Sequence, residues 1–329
     1  MNVLIPLAVV AAMFLAAWFG AAAGFGFIFG VVVPYAAAAV FAVGVGRRVM
    51  MWAAAPVPFR ITTTCGQQKS LPWLPRERFD NPFTRFETVV RMALEVLLFR
   101  SLLKNTKTAM TAGRRLVYGT DPWLWLGAMA FHWSFLAVIL RHARLFAEPT
   151  PRWVTFLQSA DGFFQVGVPV YYVSSFTLIA GLGYLLARRL VSPQLRYISL
   201  ANDYFPLFLL IGIGVSGFWL RYVDKTDVTA IKELAMGLAA FAPVVPEGIS
   251  PLFFGHLFLV SALFAYFPFS KLMHAAGVFL SPTRNLANNN RAVRHVNPWD
   301  YPVKVHTYEE YEDEFREKMK SAGIPVEKE

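Results

Sequence analysis

The sequence predicts an all-α membrane protein, a six-helix transmembrane bundle, on three observations. Hydrophobic residues make up 56% of the 329 and charged residues only 16%, far from the balance of a soluble domain. Six apolar runs have the roughly twenty residues that cross a hydrocarbon layer as helix: 3–19, 25–45, 123–146, 163–187, 204–220 and 252–274. The basic residues are one-sided. Of 31 Lys and Arg, thirteen lie in 47–121, three in 188–203 and eight after His274, whereas the intervening connections hold Arg152, Arg221, Lys225 and Lys232. Basic loops stay on the cytoplasmic side, so a multi-pass protein of the cytoplasmic (inner) membrane is expected, with both termini in the cytoplasm. The net charge of +10 is then topological. Lipid is the expected partner and nucleic acid is not.

The elements follow in order. Residues 1–46 carry no charge and hold two helices turned by GAAAGFG at 20–26. Residues 21–23 also look like a small-residue cleavage site, but no Lys or Arg precedes the apolar run, so a retained first helix is expected. Residues 47–121 form a cytoplasmic segment that opens rich in Pro, Thr and Gln and changes at Phe83 to an amphipathic pattern. That helix would lie on the inner membrane surface or cap the bundle or a partner. Asp121 and Pro122 make a helix start. Gly212, Gly214, Ser216 and Gly217 let the fifth span approach its neighbours closely. A surface helix is expected over 229–243. The tail, 276–329, is basic and Asn-rich, then a charged helix with an acidic bias, either a docking surface for a cytoplasmic subunit or a solvated tail, with His295 and His306 exposed or in contact with a partner.

The core, 122–275, holds the chemistry. Four of the six histidines sit in apolar runs: His132 and His142 in the third, His256 and His274 in the last. An imidazole inside a bilayer costs free energy unless it is partnered, and two helices with a histidine towards each face can ligate two stacked haems. If these helices run antiparallel, His132 pairs with His274 at the inner haem and His142 with His256 at the outer. The spacing strains this scheme. Ten residues of helix rise roughly 15 Å and eighteen roughly 27 Å, so tilt and a kink at Pro268 must absorb the difference. The lone cysteine, Cys65, excludes a CxxCH haem attachment, a four-cysteine cluster and an internal disulfide. Any haem is therefore b-type, any cluster belongs to another subunit, and Cys65 reads as a packing residue. Gly127 would leave room for a macrocycle beside His132. Arg141, Arg144 and Arg221 are candidate propionate partners of the outer haem, and Lys271 of the inner one. Gln158, Asp161 and Gln165 are candidate quinone contacts near the outer haem.

Two histidines ten apart and two eighteen apart resemble the cytochrome b (gamma) subunit of respiratory nitrate reductase, a five-helix quinol oxidase subunit with two b haems ligated in the crossed pairing given above. The likeness covers the last five spans, and the first helix and the long inner loop depart from it. PFRITTTCGQQKSLPWL (58–74) and SPTRNLANNNRAVRHVNPW (281–299) resemble the DsrM family, the membrane cytochrome b subunits of DsrMKJOP complexes in sulfate reducers and sulfur oxidisers. That resemblance implies menaquinone or menaquinol as substrate and a cytoplasmic iron–sulfur subunit related to heterodisulfide reductase. It also implies a periplasmic multihaem cytochrome c, a periplasmic ferredoxin-like protein and a second membrane subunit, with a trisulfide carrier as the final exchange. The expected function is dihaem electron transfer between menaquinol and the cytoplasmic clusters. A haem-free membrane anchor or assembly subunit is the alternative. A proton-relay transporter fits less well, since there is no inverted repeat and few intramembrane carboxylates.

Overall fold

The structure, a computed structural model, describes residues 2–55, 68–104, 107–111, 115–165, 169–294, 302 and 304–328. Cys65 and His295 lie outside them. Helix α1 (Leu4–Gly20) runs into a π turn that reverses the chain at Gly24, whose φ of 95° suits a residue without a Cβ, and α2 (Val33–Ala53) returns. On the loop side, α3 (Arg85–Leu98) begins with a capping box in which Thr84 accepts from the Glu87 amide and Glu87 from the Thr84 amide. A short antiparallel hairpin follows, β1 (Lys107–Met110) with β2 (Leu116–Gly119).

The core begins with α4 (Pro122–His142), its first turn capped by the Asp121 carboxylate. Next come α5 (Arg152–Asp161), the short pair β3 (Gly162–Phe164) and β4 (Tyr171–Tyr172), and α6 (Val173–Val191). The expected span 163–187 therefore starts ten residues late. Gly162 and Pro169 break helix, and the chain uses that stretch for a bulged strand pair. The remaining core helices are α7 (Pro193–Ile198), α8 (Ala201–Trp219), α9 (Val228–Ala239) and α10 (Pro251–Tyr266).

The last expected span is not one helix either. Past Tyr266 the chain makes two 3₁₀ turns separated by extended Ser270, and α11 (His274–Leu280) starts at the histidine itself. Pro268 has no amide to continue the ladder. It is buried against Gly44, where a Cβ would come within 2.7 Å of the proline ring. Beyond lie α12 (Pro282–Asn285) and α13 (Tyr308–Ser321), whose buried Glu312 accepts the amides of Glu327 and Lys328 and folds the chain end back on the helix.

Among the described residues five helices are long and apolar enough to cross a membrane: Leu4–Phe25, Ile28–Ala53, Pro122–Phe146, Ala201–Asp224 and Pro251–Phe269. The sixth expected span, α6, has 19 residues diluted by Ser174, Ser175, Thr177, Arg188 and Arg189. It nevertheless lies antiparallel along all of α4. The contacts run from Arg141 with Ser174, through Ser134 with Thr177, Phe131 with Gly181 and Gly127 with Tyr184, to Asp121 with Arg188. Gly127 thus serves helix packing, since a Cβ there would strike the Tyr184 ring, and the room expected for a macrocycle is already taken. Around this pair, α8 packs on α6, α1 and α10, and α2 covers α10. A main core centres on Leu182, Tyr204, Leu209 and Leu259. The expected surface helix, α9, is instead half sunk, burying Ala230 and Leu234 with Val31 and Phe254 in a second core.

Candidate functional site

The break at Ser270 decides how the histidines meet. A continuous helix would hold His274 roughly 27 Å from His256, against roughly 15 Å between His132 and His142. With the helix interrupted, the His274 ring lies 6.1 Å from that of His132, centroid to centroid, at an interplanar angle of 84°. At the other end of α4, His142 and His256 stand within electrostatic reach of each other. His132 and His274 are thus brought together at the middle of α4, while His142 at its C-terminal end faces His256 on α10.

Each ring uses the same nitrogen for the protein. His132 Nδ1 is 2.8 Å from the Ala128 carbonyl, His142 Nδ1 is 2.7 Å from Val138 O, and His274 Nδ1 is 2.8 Å from Lys271 O. A carbonyl can only accept, so these Nδ1 atoms carry the proton and the Nε2 lone pairs stay free. His256 Nδ1 is 2.9 Å from Ser216 Oγ on α8. Such anchoring fixes tautomer and ring direction in a metal ligand. Two imidazoles bound on opposite sides of one ion, each nitrogen about 2 Å from it, have centroids roughly 6 Å apart, the spacing of His132 and His274. Among the described residues no three His, Cys, Asp or Glu form a metal-holding group. A pair of imidazoles supplies only axial donors, which suits a metal that brings its own equatorial nitrogens. Phe99 and Phe131 flank the His132 ring at 4.9 and 4.6 Å, keeping that site apolar.

The predicted cationic residues are less alike than their spacing suggested. Arg141 and Arg221 both lie over the Tyr172 ring, 3.8 and 4.3 Å from its centroid. Arg141 Nε is 3.2 Å from Asp161, and its other end donates to Ser174 Oγ. Arg221 donates to the Val170 carbonyl and keeps a buried Nε with no partner among the described residues. Two cations thus share one tyrosine ring, and Arg141 of the two pairs with a carboxylate. Arg144 is half-buried in the 3₁₀ turn after α4. Lys271 is 86% exposed and pairs with Asp203 at 2.6 Å, so its ammonium points outward to solvent. Of the candidate quinone contacts, Asp161 is saturated by Arg141, the Ser174 amide and the Ser174 hydroxyl, Gln158 is half-buried on α5, and Gln165 is exposed just after β3.

Sequence reasoning missed Tyr172 and the role of Ser216. Tyr172 looked like one aromatic among many. Ser216 gave a signal only as a small residue in a glycine-rich span, because its partner lies forty residues away. The end of the bundle where α4 starts and α6 ends also holds a cavity of about 240 Å³ lined by leucines with Arg188, Arg189 and Asp203, none of them singled out by spacing.

Residues 92–295 match the family described as nitrate reductase gamma subunit. Over 282 residues, covering 84% of each chain, the sequence is 48% identical to the "Hdr-like menaquinol oxidoreductase cytochrome b-like subunit" of Archaeoglobus fulgidus. It is 39% identical over 274 residues, 81% of each chain, to the protein of the same description from Archaeoglobus profundus. The respiratory nitrate reductase 1 gamma chain of Escherichia coli is 26% identical over 187 residues, 51% of this chain and 77% of that one.

Proposed function

Since the chain belongs to the nitrate reductase gamma subunit family, we propose that it is a dihaem b-type cytochrome carrying electrons between menaquinol near the outer face and an iron–sulfur subunit on the cytoplasmic side. The observation that carries the reading is the pairing of histidines whose Nδ1 atoms are all engaged and whose Nε2 atoms are free. His132 and His274 would hold the inner haem, and His142 and His256 the outer. When bound, the haems supply one-electron redox chemistry.

The chain's own residues hold and tune that chemistry. Arg221, with its unpartnered Nε, and Arg141 place excess positive charge where the carboxylates of an outer haem would lie, with Arg144 as a third candidate. Lys271 is the weaker candidate on the inner side, being spent on Asp203. A quinone head group is assigned to the outer α5 region, with Gln158 and Gln165 as hydrogen-bond partners and Asp161 as the carboxylate paired with Arg141. The resemblance of two inner-side segments to DsrM and the description of the Archaeoglobus relatives support a heterodisulfide-reductase-like cytoplasmic partner within a DsrMKJOP-like complex of dissimilatory sulfur metabolism.

The test is a reduced-minus-oxidised spectrum with haem quantitation on the purified protein. We expect a b-type α-band, two haems per chain, and loss of one haem in each of His142→Ala and His132→Ala. Haem-free wild-type protein would leave only the anchor role, and two haems retained in either variant would refute the pairs.

A further inference from the structure

We propose that Ser216 is a positioning residue that fixes the tautomer and direction of His256 and thereby sets the redox potential of the outer haem alone. This rests on the dihaem reading above and goes beyond it by naming a residue that never touches the haem. The Ser216 hydroxyl has one hydrogen and two lone pairs. It lies 2.6 Å from the Gly212 carbonyl and 3.2 Å from that of Ile213, the back-bond a helical serine makes to its own preceding turn. The hydrogen is committed there, so at 2.9 Å from His256 Nδ1 the oxygen accepts. His256 therefore carries its proton on Nδ1 and leaves Nε2 unprotonated. Gly217 completes the seat, since a Cβ there would stand 3.1 Å from His256 Cε1. The ring rests directly on the α8 backbone.

The other three histidines donate to main-chain carbonyls three or four residues back in their own segment. No substitution can remove those acceptors. His256 also reaches a main-chain carbonyl, that of Ile213, but it alone of the four engages a side chain as well, and one from another helix, so the outer site has a separate control. An acceptor on Nδ1 raises the basicity of the ligating nitrogen and favours the more highly charged, oxidised iron. Removing it should raise the potential of the outer haem and leave that of the inner haem where it was.

The experiment is a redox titration of the full-length protein in membranes, following both b-type components optically and by EPR, for wild type, Ser216→Ala and Ser216→Thr. Alanine is at home in helix, and threonine restores a hydroxyl that can make the same back-bond. We expect an upward shift of one component in Ser216→Ala with the other unmoved, and its reversal in Ser216→Thr. Loss of the outer haem alone in Ser216→Ala, restored by threonine, would support the same assignment. Two bound haems with both potentials unmoved in Ser216→Ala, or both shifted equally, would overturn it. Absence of haem from the wild type would instead sink the dihaem reading.

Discussion

Asp161 shows how much of the junction beside His142 is built by single residues. Its carboxylate accepts from the Ser174 amide and hydroxyl and pairs with Arg141, joining the end of α5, the start of α6 and the end of α4. Arg141 is 8% exposed, so removing its partner strands a buried cation. Asp161→Ala should cost about 3–5 kcal/mol, seen as a lowered unfolding midpoint in detergent, and Asp161→Asn should cost less because it keeps acceptors for Ser174. If both variants melt like wild type, the ion pair is not holding the three helices. The four intramembrane histidines were legible because polar residues stand out in apolar runs and carry their cost with them. The Asp161 junction was not, because its partners lie thirteen and twenty residues away and meet only once α5 has folded back.

Elements reveal a different limit. Apolar runs located the long helices of the core, yet α5 and α7 were not expected, α6 began late and the last span broke, since apolar content alone does not say where Gly162, Pro169 or Pro268 stops a helix. The amphipathic helix α3 was expected, but it faces contrary to a soluble one. Thr88, Arg91 and Glu95 are buried, with Glu95 paired to Arg284, while Phe86 and Val89 are exposed. Its last carbonyls accept from the indoles of Trp125 and Trp133 on α4. At its start, Arg76 and the amides of Phe83 and Thr84 hold the Glu87 carboxyl down from 4.5 to about 2. A depressed carboxyl stabilises fully above its unfolded value and ceases to do so as pH falls through the folded one. The order of α3, followed by amide hydrogen exchange, should therefore hold down to about pH 4.5 and fade towards pH 2. Thr84→Ala should weaken the same amides by about 1 kcal/mol at neutral pH. Where α6 crosses α4, a Cβ on Gly181 would come within 2.9 Å of the Phe131 amide nitrogen. Gly181→Ala should push the helices apart at a cost of about 1–3 kcal/mol, again read as a lower unfolding midpoint.

At the scale of the whole molecule the open question is the number of crossings, because it decides on which side the two ends lie. Composition counts five helices and stops short at α6. Contacts argue for a sixth. Helix α4 crosses, and α6 touches it at successive heights from Arg141 with Ser174 to Asp121 with Arg188, so two antiparallel partners of about 30 Å should begin and end at the same two surfaces. The charges agree. Arg188 and Arg189 end α6 next to Asp121 and Ser199, on the side where the basic loop 47–121 already stands, and a span that delivers two arginines there obeys the same bias as the rest of the chain. Six crossings with the basic loop inside would put both termini and the loop after Ser192 in the cytoplasm. A fluorescent protein that folds only in the cytoplasm should therefore glow when fused after Ser192 or at the C-terminus, while a phosphatase that works only outside should be active after Gly248. Phosphatase activity after Ser192 would mean that α6 does not cross. The tail helix α13 would then face outward, out of reach of any cytoplasmic partner, and the inner and outer assignments of the second histidine of each pair would have to be redrawn.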